Sequence, residues 1–253
     1  MKRFKIKLRV YGALNCFITP KKRYRPFCYY GKGHPSIKDT LEAVGIPHPE
    51  INVILADGRS IDFSSPTVDR TFIEVFPAHA RVTTCRVHLL QPKILKFPRF
   101  ICDVHLGKLS RHLRLFGFDT LYENCLSDHQ IVKQADEEGR IVLSRDIGLL
   151  KHKKIESGYF IRHIYAEKQF REVVRRYELM NRFQPFGRCL DCNDKIVRIA
   201  KAKVFHQLPD IVKRVHKHFF QCQGCHHVYW RGTHFDRLNR LVAQYAKNTV
   251  SKK

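Results

Sequence analysis

A chain of 253 residues with 43% hydrophobic content is long enough for two or three small cores, which excludes a disordered tail protein. Its 47 Lys and Arg against 23 Asp and Glu give a formal charge of +24, so the expected partner is polyanionic, with nucleic acid foremost. The excess is positive in each of residues 1–80, 81–185 and 186–253, which predicts a folded basic surface; no apolar run approaches membrane-spanning length, so no membrane partner is expected.

Residues 3–10 alternate basic and apolar side chains with a period of two, predicting a half-buried strand with a basic outer face and leaving no room for a secretion signal. A second strand is expected from Pro26 to Tyr30. Ser36 then caps SIKDTLEAV, where Ile37, Leu41 and Val44 fall at helical spacing and Gly45 is placed to end the helix. In INVILADGRSIDF the Asp57-Gly58 pair joins two short strands, and TFIEVF at 71–76 supplies another. Strand, strand, helix, strands is the β-grasp order, expected over residues 1–80; a small α+β domain with no binding role is the plainer alternative. Pro77, Pro92 and Pro98 and the loss of periodicity mark a linker at 81–98.

The pattern then changes to strands alternating with helices, which predicts a parallel α/β domain over residues 99–185. Phe100-Ile101-Cys102 is a short strand ending at Asp103. HLGKLSRHLRLFG places Leu106, Leu109, Leu113 and Phe116 on one helical face and closes at Gly117. Thr120 to Tyr122 is the next strand. Ser127 and Gln130 form a capping-box pattern for a helix running to Gly139, and Ile141-Val142-Leu143 leads into Ser144, Arg145 and Asp146. A fourth strand is expected within 159–165 and a helix from Phe170 to Leu179. Apolar Phe235, Leu238, Leu241, Val242 and Tyr245 predict a C-terminal helical tail over 233–253 that docks on the body.

Nine cysteines, an odd number, suggest a reducing cytoplasmic setting rather than a disulfide framework. Four of them form Cys189-x-x-Cys192 and Cys222-x-x-Cys225, two knuckles that together offer a tetrahedron of thiolates to structural zinc. A zinc ribbon is therefore expected over 186–232, its 29-residue spacer filled by a strand and a loop. A redox CxxC pair, ordinary buried cysteines, or His226 or His227 replacing one thiolate are the alternatives. Four protein ligands leave the metal no open position, so any catalysis lies elsewhere.

Asp103 and Asp146 each follow an apolar strand, and Asp128 opens the helix that leads into the second of these strands. Carboxylates gathered at the carboxyl ends of parallel strands repel one another unless a hard cation such as Mg²⁺ or Mn²⁺ joins them. The plainer alternative is that Asp103 caps the next helix and Asp128 serves a helix dipole. Lys108, Arg111 and Arg114 lie three residues apart and can track a phosphate backbone, with Arg145 a further cationic candidate; a merely solvated face competes. Tyr229 and Trp230 are suited to stacking on bases or to packing against the knuckle.

PRFICDVHLGKLSRHLRLFGFDTLYEN, SDHQIVKQADEEGRIVLSRD and CLDC with CQGCHHVYWRGTHFDRL, in this order across roughly residues 98 to 237, resemble the Mut-seven C-terminal RNase family. The resemblance implies a PIN-type nuclease fold with a zinc ribbon, often preceded by a ubiquitin-like β-grasp domain. It implies acidic site roles for Asp103, Asp128 and Asp146, with Asp119 a weaker candidate. Two departures bear on activity: Ser144 stands where the family commonly has threonine, and Ile147 and Gly148 follow Asp146 where the wider group often adds an acid. The expectation is a metal-dependent ribonuclease acting on RNA, whether tRNA, rRNA or the ribosome, with a protein partner reached through the β-grasp domain. A non-catalytic RNA- or ribosome-binding protein with a degenerate nuclease fold is the alternative.

Overall fold

The structure, a computed structural model, describes residues 3–78, 80, 82 and 87–250, the last five of these as backbone only. Residues 81 and 83–86 of the expected linker and the last three of the expected tail lie outside the described residues. Two compact units emerge, Met1–Ile94 with Ser127–Phe160 and Leu95–Leu126 with Ile161–Lys253.

The N-terminal part is a β-grasp. Strands β1 (Arg3–Val10) and β2 (Phe27–Lys32) pair antiparallel, α1 (Ile37–Val44) follows, and β3 (Ile51–Ala56), β4 (Arg59–Ile61) and β5 (Phe72–Pro77) complete a sheet of order β2-β1-β5-β3-β4 with β1 and β5 parallel. The alternation in β1 buries Phe4, Ile6, Leu8 and Val10 against Ile37 and Leu41 and leaves Arg3, Lys5, Lys7 and Arg9 exposed. Ser36 caps α1 by accepting from the Asp39 N–H, and Gly45 closes it at φ 117, a left-handed value that a Cβ would strain. Asp57 and Gly58 both have positive φ, as a two-residue hairpin turn requires. The described end of this segment is not a free linker: Leu90 donates its N–H to the Asn52 carbonyl, and Val82 and Val87 pack on Val53, Leu55 and Phe76.

Beyond it the chain alternates strands and helices. Strand β6 (Phe100–Cys102), helix α2 (Gly107–Leu115) and strand β7 (Thr120–Leu121) belong to the second unit; α3 (Asp128–Glu138), β8 (Ile141–Ser144), α4 (Ile147–Leu150) and β9 (Gly158–Phe160) belong to the first. Pairing is parallel in both, β6 with β7 and β8 with β9, so the central region is parallel α/β. The Ser127–Gln130 capping box forms as expected. The first unit is knit by buried His48, whose ring bridges Glu42 Oε1 and the Ile155 carbonyl at 2.7 Å each, and by Glu50, which accepts from the Phe160 N–H. Strand β9 is shorter than the sequence predicts.

In the second unit, α5 (Ala166–Arg176) starts earlier and ends earlier than the sequence predicts. Tyr177 and Leu179 are buried all the same, because left-handed Glu178 turns the chain back after the helix and so prolongs the apolar pattern beyond it. The C-terminal part holds β10 (Ile196–Ile199), short helices α6 (Lys201–Val204) and α7 (Asp210–Val215), then β11 (Phe219–Cys222) and β12 (Val228–Trp230), with the three strands antiparallel in the order β10-β11-β12. The spacer between the cysteine pairs thus carries two helices rather than a strand and loop alone. They form a small core of Val204, Leu208 and Val212 on Phe219, because a spacer of that length must bury apolar surface of its own. Helix α8 (Thr233–Val250) docks through Tyr245, whose ring meets Phe116 and Phe170 and whose hydroxyl donates to the Glu167 carbonyl.

Candidate metal centre and acidic strand ends

The two cysteine knuckles converge. Among the described residues, Cys189, Cys192, Cys222 and Cys225 are the one group of three or more potential ligands whose donor atoms all lie within 4.8 Å of one another. Their Sγ atoms lie 3.6 Å apart for Cys189 and Cys225 and 3.2 Å for Cys192 and Cys222. A tetrahedral zinc with Zn–S bonds of about 2.3 Å sets its sulfurs about 3.8 Å apart, so the set fits. The geometry needs no histidine: His226 and His227 are exposed beside the cluster and outside the ligand group.

Local structure explains the convergence. In the first knuckle the Asn193 N–H donates to the Cys189 carbonyl and the Cys192 N–H points at Cys189 Sγ; in the second the Cys222 N–H donates to the His227 carbonyl. Left-handed Asn193 (φ 74) turns the chain and reaches outward, donating from Nδ2 to Asp119 Oδ1 at 2.9 Å and accepting from the Thr120 N–H. Burial raises the thiols of Cys222 and Cys225, the latter to about 12, whereas in Cys192 burial is outweighed by the Asp194 N–H and neighbouring thiols, leaving it at about 7. Four crowded sulfurs share charge poorly on their own, and a divalent cation removes that penalty. Tyr229 Oη lies 3.1 Å from Cys189 Sγ, and burial pushes its phenol up.

Arg114 corrects an expectation. Its side chain is 2% exposed, and it donates to the carbonyls of Thr120, Leu190 and Asp191 at 2.9, 3.0 and 2.7 Å. It is a buried clamp on the first knuckle and is closed to a phosphate backbone. Three-residue spacing drifts around a 3.6-residue helix, so the third cation of the row arrives at the buried face. Lys108, Arg111 and Arg145 are exposed, with Arg111 3.5 Å from Asp191. Asp119 is engaged on both carboxylate oxygens, by Asn193 and by Arg188 at 3.3 Å.

The acids at the strand ends are resolved each in its own unit. Asp103 follows β6, is 4% exposed, and accepts from the His105 N–H at 3.0 Å. Asp146 follows β8, is exposed, and accepts from the Gly148 N–H at 2.6 Å, while its own N–H donates to Ser144 Oγ. Asp128 is exposed in the first turn of α3. Both strand-end aspartates therefore act as caps. A carboxylate carries about four lone-pair sites, so one capping bond does not exhaust its capacity to ligate.

Sequence reasoning missed Arg114, Asn193 and Arg188 as the groups that hold the knuckle. The only local signal was Asn193 directly after a CxxC, since asparagine tolerates the left-handed turn. Among the described residues no helix is long and apolar enough to cross a membrane.

Comparison with known proteins places this architecture. No curated protein matches the chain. Among solved structures, the chain is similar to the H. volcanii small archaeal modifier protein 1, at 16% identity and a TM-score of 0.24 over 29% of this chain and 97% of that one. The Mut7-C ubiquitin model matches residues 3–83 and the Mut7-C RNAse domain model matches residues 98–242. Since the second match alone spans more than half of its length, the chain belongs to the Mut7-C RNase family, with the ubiquitin-like domain at its N-terminal end.

Proposed function

We propose that this chain is a divalent-metal-dependent ribonuclease whose acidic site comprises Asp103, Asp128 and Asp146. The observation that carries the reading is that, inside a matched Mut7-C RNAse domain, Asp103 and Asp146 each stand at the carboxyl end of a parallel strand, where α/β folds bind ligands. A Mg²⁺ or Mn²⁺ ion held there supplies Lewis acidity and a water of lowered pKa. The protein contributes fixed carboxylates: the caps to His105 and Gly148 lock two side chains in place before substrate arrives. Lys108, Arg111 and Arg145 hold the phosphate backbone of the RNA. Zinc at the four cysteines is structural, and the ubiquitin-like domain recruits a protein partner.

A non-catalytic RNA-binding role is the second reading, favoured by the same two capping bonds, which give each aspartate a sufficient structural purpose. The test is a pair of variants, Asp103→Asn and Asp146→Asn, which keep shape and capping but remove charge. Loss of Mn²⁺- or Mg²⁺-dependent RNA cleavage with folding and RNA affinity intact supports the enzyme. Equal cleavage by wild type and both variants, purified side by side, sinks it.

A further inference from the structure

Within the second unit an open cleft of about 680 Å³ runs between the zinc-ribbon strands and the start of α8. Its volume is in the range of small-ligand sites. Half-buried Phe186, Tyr229, Trp230 and Phe235 line it, together with Arg188 and exposed Arg231. The aromatic wall is fixed from behind: Tyr229 abuts Cys189 Sγ, Trp230 packs on the core around Phe219, and Phe186 lies 4.6 Å from Phe235. The Arg231 guanidinium stands 5.7 Å over the Phe235 ring, at the rim. The one acid among the lining residues, Asp191, already faces Arg111 at 3.5 Å.

We propose that this cleft is a binding site for single-stranded RNA, stacking a base on its aromatic wall and pairing a phosphate with Arg231. The occupant follows from the chemistry. Aromatic faces with arginine at the edge accept any base by stacking and its phosphate by charge, whereas duplex RNA keeps its bases stacked inside. An apolar protein segment would match the aromatic wall but offer no anion to Arg231, since Arg188 and Arg111 already face Asp119 and Asp191. The identification of the ligand as RNA rests on the ribonuclease reading; none of Asp103, Asp128 and Asp146 is among the residues that line the cleft.

Trp230 is the sole tryptophan of the chain, so its fluorescence reports on the cleft alone. The experiment titrates the zinc-loaded full chain with an eight-nucleotide 2′-O-methyl oligouridylate, which cannot be cleaved, and follows both Trp230 emission and the anisotropy of a label on the oligonucleotide. Saturable quenching that tracks the anisotropy is expected, with Phe235→Ala weakening affinity at least about fivefold and Arg231→Gln making the fall in affinity with rising salt shallower. A 4-thiouridine oligonucleotide should crosslink to peptides bearing Trp230 or Phe235, a result independent of how well any variant folds. Binding by anisotropy with unchanged Trp230 emission and crosslinks elsewhere overturns the proposal. So does equal quenching by a polyglutamate peptide, which would assign the cleft to an acidic protein. Quenching that persists while no metal-dependent cleavage is found leaves the cleft standing and removes only the ribonuclease reading.

Discussion

The Arg114 guanidinium donates to the Asp191 carbonyl at 2.7 Å, inside the first cysteine knuckle. Helix α2 thus holds the backbone that carries Cys189 and Cys192, and burial lowers the pKa of the arginine without depriving it of partners. Arg114→Gln strands those carbonyls and should cost about 2–3 kcal/mol of stability. Zinc should be lost at lower chelator concentration, whereas the salt dependence of RNA binding should not change. Denaturant unfolding and chelator titration of the two proteins check this.

Lys108 and Arg111 should behave in the opposite way. Both are exposed on α2, so replacing either by alanine leaves unfolding nearly unchanged. If each neutralises one phosphate, the slope of log affinity against log salt should become shallower by roughly one unit per substitution. Identical slopes in wild type and both variants would move the phosphate contacts to another basic face, such as that of β1, where Lys5 lies over Tyr30.

Zinc binding should release protons, because each thiol ligates as thiolate. The raised Cys225 thiol, at about 12, and the raised Cys222 thiol are protonated at neutral pH, while Cys192, at about 7, is partly ionised. At pH 7 these three thiols alone should release roughly two to three protons per zinc. The sign follows: protons compete with the metal, so affinity falls as pH drops. In the metal-free protein the raised Cys225 thiol acts in reverse, its contribution present below the ordinary thiol range and lost as pH rises toward 12. Proton uptake in weak buffer during zinc chelation measures the number directly.

Asp146 separates capping from catalysis. Asp146→Ala removes the acceptor for the Gly148 N–H and should cost about 1 kcal/mol, while Asp146→Asn should cost only a few tenths. Both should lose metal-dependent cleavage equally, since both lack the charge. Cleavage that tracked stability across the two variants would show that the residue serves only the start of α4.

The sequence by itself determined the local elements and the four-cysteine cluster that could hold a metal ion. Period-two alternation in β1, the Ser36 and Ser127 caps and the paired CxxC motifs act over a few residues, and each was legible because propensity, capping and ligand spacing are short-range. It also placed Asp103 and Asp146 at strand ends, since each apolar run stops there. Tertiary structure decided what those positions do besides. Only the fold turned Arg114 from the third cation of a helical row into a buried clamp, engaged Asp119 with Asn193 and Arg188, and set Tyr229 against Cys189 as the wall of a cleft. The same holds for His48, whose ring joins Glu42 to Ile155 across more than a hundred residues. These are contacts between polar groups distant in the chain, and no periodicity announces them: burial forces each buried donor and acceptor to find a partner, and which partner is within reach is fixed by packing.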